Sequence, residues 1–180
     1  SYVVNLPEAG RACIIGNILH QGEKCQNRSL VAYGEEGPRG DVHAFYFLNN
    51  TVINDRDQPK STFLQIRGLP DGFQPVVRNN IFVGVGRLTS WGPIELKGNR
   101  RGTAEEMKFI DRENWNLRLQ PDSPCIDAGV APKKGEGGFL LRATREYVHP
   151  MQSEARGQDE RIDVGAYEFQ RDGFISPEGN

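Results

Sequence analysis

The chain has 180 residues, enough for one domain with a sizeable core and short for two. A net charge of −2 gives no electrostatic footing for nucleic acid or an anionic membrane surface, and no run approaches the roughly 20 apolar residues of a membrane span. Hydrophobic residues make up 37% of the sequence while glycine (21) and proline (11) are plentiful, a mix that reads as many short strands joined by turns.

The first element is "YVVNLPE" at 2–8, in a chain that opens on Ser1 with no signal-like segment and so reads as a processed product or a fragment. "ACIIGNILH" follows, then "SLVAYGEE" at 29–36, "FYFLNNTVI", "TFLQIRG" at 62–68, "VVRNNIFVG" and "IELKGNRRG". Four of these stack on an asparagine: Asn17, Asn50, Asn80 and Asn99, spaced 33, 30 and 19 residues apart. Those spacings lie at or near solenoid periods. Three residues before each asparagine stand Ile14, Phe47, Val77 and Leu96, and two earlier Ala12, Phe45, Pro75 and Ile94; two after it come Leu19, Val52 and Phe82, with Arg101 as the exception. The position between (Ile15, Leu48, Arg78, Lys97) is mixed and is expected to face outward.

The remaining strands fill the gaps, with Leu6, Ala32 and Ile66 expected inward and Asn5, Val31 and Gln65, then Pro7, Tyr33 and Arg67, outward. Each repeat thus holds about three short strands and no helix-period segment. The expected fold is all-β, a parallel β-helix in which each coil stacks on the next around a shared apolar column. A β-sandwich with recurrent "NN" turns would not keep the same inward columns after a fixed period. Asparagine at the bend tolerates left-handed backbone, and stacked amides would hydrogen-bond along the ladder, each bond contributing about 0.5–1.5 kcal/mol. Cys13, Cys25 and Cys125 are too few for a disulfide framework and are expected as buried free thiols, with a Cys13–Cys25 bridge as the alternative in an exported protein.

Beyond the fourth asparagine the words change. Phe109, Ile110 and Asp111 lead to Asn116, Leu117, Arg118 and Leu119; then come Ser123, Pro124, Ile126, Asp127 and Gly129, and last Asp163, Gly165, Ala166, Tyr167 and Glu168. About 70 residues of this kind resemble the closing section of right-handed parallel β-helix proteins of the pectate-lyase-like superfamily. Residues 1–102 then read as regular coils, and 103–180 as terminal coils with a long polar loop at 130–161 and a C-terminal cap, all one domain forming the C-terminal part of a longer solenoid. "IDAG" and "IDVG" echo each other, so Asp127 and Asp163 are read as turn-holding carboxylates that accept backbone N–H bonds. The first coil has no cap, and upstream coils or a partner chain are expected to cover it.

The resemblance implies a glycan theme and an exported setting: secreted, periplasmic or cell surface. Similar lyases bind acidic polysaccharide along an outer face and cleave it by β-elimination, which needs a cation for the uronate carboxylate, a base for the C5 proton and an acid for the leaving oxygen. On the outward columns Arg67 and Tyr33 are the catalytic candidates, Asn5, Gln65, Glu35 and Glu36 the substrate-binding ones, and Trp91 a sugar-stacking ring. Any exposed strand face also shows some Arg, Tyr and Gln, so a non-catalytic exported structural or glycan-binding module stands beside a polysaccharide lyase as the alternative. No cofactor is expected: calcium would suit the acids of "EEGPRGD" at 35–41, but the calcium-loop pattern is missing. His20, His43 and His149 stand isolated, without metal-ligand spacing.

Overall fold

The computed structural model describes residues 1–56, 60–92, 94–158 and 160–171. Twelve short strands run to residue 102 in groups of three: β1 (Val4–Leu6), β2 (Arg11–Ile15) and β3 (Ile18–Gln21); β4 (Ser29–Tyr33), β5 (Ala44–Leu48) and β6 (Thr51–Asn54); β7 (Thr62–Ile66), β8 (Val76–Arg78) and β9 (Ile81–Gly84); β10 (Arg87–Thr89), β11 (Glu95–Lys97) and β12 (Arg100–Gly102). Every third strand pairs in parallel, giving the sheets β1-β4-β7-β10, β2-β5-β8-β11 and β3-β6-β9-β12. Three parallel sheets of four strands, with three strands per turn, are the pattern a parallel β-helix makes.

The asparagine repeat has two parts. Gly16, Asn49, Asn79 and Gly98 carry positive φ, between 49° and 74°, and turn the chain from one sheet to the next. The stacked asparagine is the residue after each of them, so the bend and the ladder are divided between neighbours rather than combined in one side chain. The Asn50 Oδ1 accepts from the Asn17 backbone N (2.9 Å) and amide (3.1 Å); Asn80 does the same for Asn50 (2.9 and 3.0 Å), and Asn99 for Asn80 (both 2.9 Å). A "NN" pair therefore supplies a left-handed turn and a ladder rung in sequence.

Inside the coils Phe45, Phe47 and Phe82 stack with ring centroids 5.9 and 6.2 Å apart, and Phe63 meets Phe82 edge-on at 5.2 Å. The first sheet sits one residue away from the expected register at β4. Leu6 pairs with Tyr33 and Tyr33 with Ile66, while Ala32 shares its column with Asn5 and Gln65. A one-residue slip exchanges the two faces of a strand, so Tyr33 lies in the core at 0% exposure, tilted against Phe45 at 4.9 Å, with its hydroxyl donating to the Gly10 carbonyl. Burial pushes its phenol up to about 12. In the fourth coil the inward column opens to solvent, with Leu96 42% exposed.

Past Gly102 the described residues hold no further parallel coil. The capping box of Thr103 and Glu106 starts a single helical turn, α1 (Ala104–Met107). Three antiparallel hairpins follow: β13 (Phe109–Asp111) with β14 (Asn116–Leu119), β15 (Lys133–Lys134) with β16 (Leu140–Leu141), and β17 (Arg145–Val148) with β18 (Gln152–Ala155). The expected terminal coils are thus hairpins, and the expected loop at 130–161 contains two of them. They lie along the flank of the coils. Ile53, Ile81 and Val83 pack with Phe109, Leu117, Leu119, Val164 and Ala166; Tyr46, Leu48 and Val76 pack with Leu141. This strap is why Leu48, expected outward, is 1% exposed. All three cysteines are free, with Cys125 buried but Cys13 exposed on β2.

Candidate functional site

The strap folds back as far as the first coil, where Ile18, Leu19 and His20 of β3 meet Asn114 and Trp115 of the β13–β14 turn, Tyr147 and His149 of the third hairpin, and Tyr167. Together they line a cleft of about 650 Å³. Its size and its mixture of rings with a few polar tips suit a small organic ligand.

Trp115 is displayed by local structure. Asp111 accepts from the Asn114 backbone N (3.1 Å) and amide (2.8 Å), closing the turn. Those bonds, the Asn114 amide first, hold the Asp111 carboxyl below the usual carboxylate range. Trp115 then takes a left-handed φ of 62°, uncommon for a bulky residue. The residue remains 44% exposed. The His20 ring meets it edge-on at 4.5 Å, and the Arg112 guanidinium lies over it at 4.5 Å. Asp55 joins both neighbours, its Oδ2 lying 2.7 Å from the His20 Nε2 and 2.6 Å from the Arg112 guanidinium. Across the cleft the Tyr147 hydroxyl stands 3.0 Å from the His149 Nδ1, and the Tyr167 hydroxyl donates to the Tyr147 carbonyl at 3.1 Å. Two imidazoles, each with a proton-sharing partner, and two phenols thus surround one space.

The residues singled out on the outward columns divide. Glu35, Gln65 and Arg67 come together beside a polar cleft of about 440 Å³, with Arg67 3.4 Å from Glu35. Asn5 and Glu36 are exposed and line neither cleft. Tyr33 is in the core and is not available on the outer face. Trp91 is half-buried against the core, with its indole N–H donating to the Phe73 carbonyl at 3.2 Å, so its ring is an anchor rather than a free stacking surface. Asp163 matches its expected part, accepting from the backbone N of Asp127 (2.7 Å) and Phe169 (2.5 Å). Asp127 differs: its Oδ2 meets Arg171 at 2.6 Å and Arg161 at 3.7 Å, and φ is 55°. Among the described residues no group of three or more His, Cys, Asp and Glu gathers as metal ligands.

Sequence reasoning missed the aromatic cleft because its walls are far apart along the chain. His20 and His149 stand isolated as letters, and "ENWN" and "REYVHP" carry no repeat. The one local signal was the density of rings and histidine in those two words. No protein-family model, curated protein or solved structure matches the chain. Fold and cleft together define an all-β protein of three stacked parallel sheets with an aromatic, histidine-bearing cleft beside its first coil.

Proposed function

We infer that this chain is a carbohydrate-interacting protein whose sugar site is the cleft between His20, Trp115 and Tyr147. The observation that carries the reading is Trp115, held by its hairpin in a left-handed conformation and left exposed at the cleft wall. A pyranose presents an apolar C–H face bordered by hydroxyls. A flat indole suits the face, while imidazole, phenol and the Asn17 and Asn114 amides suit the hydroxyls. In this reading the coils are right-handed and of the pectate-lyase-like kind, on the strength of the Ser123–Pro124, Ile126–Asp127 and Gly165–Glu168 words. Export to the cell surface or beyond belongs to the same proposal.

One observation extends it toward a polysaccharide lyase acting on uronate-containing glycans. His20 is held by Asp55 and Tyr147 is paired with His149. In a β-elimination one such group takes the C5 proton and the other protonates the leaving O4, while a C4–C5 double bond forms. Arg112 beside the cleft would offset the uronate charge.

The test is binding to a panel of neutral and acidic polysaccharides, followed by the ultraviolet absorbance of unsaturated product on whichever binds. Binding weakened by at least about tenfold in Trp115→Ala, and unchanged in Arg67→Ala, supports the cleft. Loss in Arg67→Ala alone moves the site to the polar cleft on the first sheet. Silence across the panel overturns the glycan reading.

A further inference from the structure

Behind the cleft lies a group of buried charges that the binding reading does not use. Glu146, Asp163 and Glu168 are 1%, 1% and 6% exposed. Glu168 accepts from the Arg156 Nε (2.7 Å) and from the Asp163 backbone N (3.0 Å). Arg156 also donates to the carbonyls of Gly165 (2.9 Å), Asp163 (3.2 Å) and Tyr167 (3.3 Å). Glu146 accepts from the Glu168 backbone N (2.5 Å) and from Arg118 (2.8 Å), and Arg118 reaches the exposed Glu154 as well. Arg161 and Arg171 approach Asp127, whose backbone N bonds Asp163. Among the described residues these five carboxyls stand against four guanidiniums, and in the buried part Glu146, Asp163 and Glu168 are grouped near Arg156 with Arg118 at the edge. A low-dielectric site does not hold unbalanced charge well, and a proton is the simplest remedy.

The position of this cluster gives it a consequence. Glu146 directly precedes Tyr147, and Glu168 directly follows Tyr167, the two cleft tyrosines. The Arg118 guanidinium lies 4.6 Å over the Tyr167 ring, and the Tyr167 hydroxyl ties to the Tyr147 carbonyl. We propose that the cluster is a pH-sensitive clasp, holding Tyr147 and Tyr167 at the cleft while one of its carboxyls carries a proton and loosening them when that proton leaves.

Glu168 is the group that titrates in the useful range. Burial pushes its carboxyl up to about 7, with Asp163 adding to the shift and Arg156 opposing it; burial also raises Glu146. An acid raised on folding binds a proton more readily folded than unfolded. Its contribution to stability is therefore complete below the ordinary carboxylate range and is lost as the pH climbs through about 7. The clasp is closed on the acid side and open on the alkaline side.

Trp115 reports on the cleft without any ligand, so the test does not depend on whether a sugar binds there. In a Trp91→Phe background Trp115 is the sole tryptophan. Its quenching by acrylamide is expected to rise about twofold as the pH passes from about 6 to about 8. Glu168→Gln should flatten that response. Tyr167→Phe keeps the ring but cuts the tie to Tyr147, so it should lose the fluorescence response while thermal stability keeps its fall with pH. A response that survives in Glu168→Gln overturns the clasp, and if His20→Asn then abolishes it, the imidazole against Trp115 is its source. No response in the Trp91→Phe protein itself also overturns it.

Discussion

The coils and the strap are held together by different means. In the coils each stabilising contact is repeated at the same place in the next turn: a parallel ladder, an asparagine rung, a ring on the phenylalanine stack. In the strap the contacts are single and differ from one another, such as Asn79 to Val130, Glu136 to Tyr46, or Arg156 to Glu168. Repetition makes a region robust in its pattern and vulnerable at its centre, because a middle rung serves two neighbours. Single contacts fail one at a time, and each failure stays local.

The largest expected effect is in the phenylalanine stack. Phe47 is fully buried between Phe45 and Phe82, so Phe47→Ala should cost about 4 kcal/mol. In a Trp91→Phe background, urea denaturation should show one cooperative transition at a lower midpoint, with circular dichroism and Trp115 fluorescence moving together. Separate transitions for the two probes would mean that the strap does not depend on the coil core.

The ladder comes next, and its position along the stack matters. Asn80, at 0% exposure, donates to the carbonyls of Phe47 (2.9 Å) and Arg78 (2.8 Å) and to Asn99, and accepts twice from Asn50. Asn80→Ala strands several buried partners and should cost about 3 kcal/mol. Asn17 is an exposed end rung whose amide donates only to Asn50 among the described contacts, so Asn17→Ala should cost about 1 kcal/mol. Equal losses in urea titrations would show that the rungs act independently of their place.

The same contrast explains what could be read from letters. Three-strand repeats, the inward Phe47 and Phe82 and the stacking of Asn17, Asn50, Asn80 and Asn99 were legible because a coil repeats its own burial pattern at a fixed period. The slip at β4 was not: in "SLVAY" every residue is buried, so alternation could not say which face was inward, and Tyr33 went to the wrong side. The strap was legible as words but not as a path. Nothing periodic says that Val164 and Ala166 pack against Ile53 and Ile81, or that Tyr147 returns to His20, and so the aromatic cleft was invisible. Arg67, Gln65 and Glu35 were found together because they lie on and just beyond the repeating strands.

The smallest effect separates the two duties of the "NN" pair. Asn79 holds φ at 55° and also grips the strap, its amide donating to the Val130 carbonyl at 2.9 Å and its Oδ1 accepting from the Val130 N at 2.8 Å. The neighbouring coil leaves room for this grip, since a Cβ on Gly98 would come within 2.3 Å of that Oδ1. Asn79→Gly keeps the left-handed turn at no steric cost and removes only the grip, so global stability should fall by no more than about 1 kcal/mol. Amide exchange around residues 128–131 should nonetheless quicken while that of β8 and β9 stays slow. Asn79→Ala loses the grip and strains the turn as well, adding about 1 kcal/mol, and should quicken exchange in β8 and β9 too. If the two variants exchange alike, the turn tolerates alanine and the asparagine is there for the strap alone.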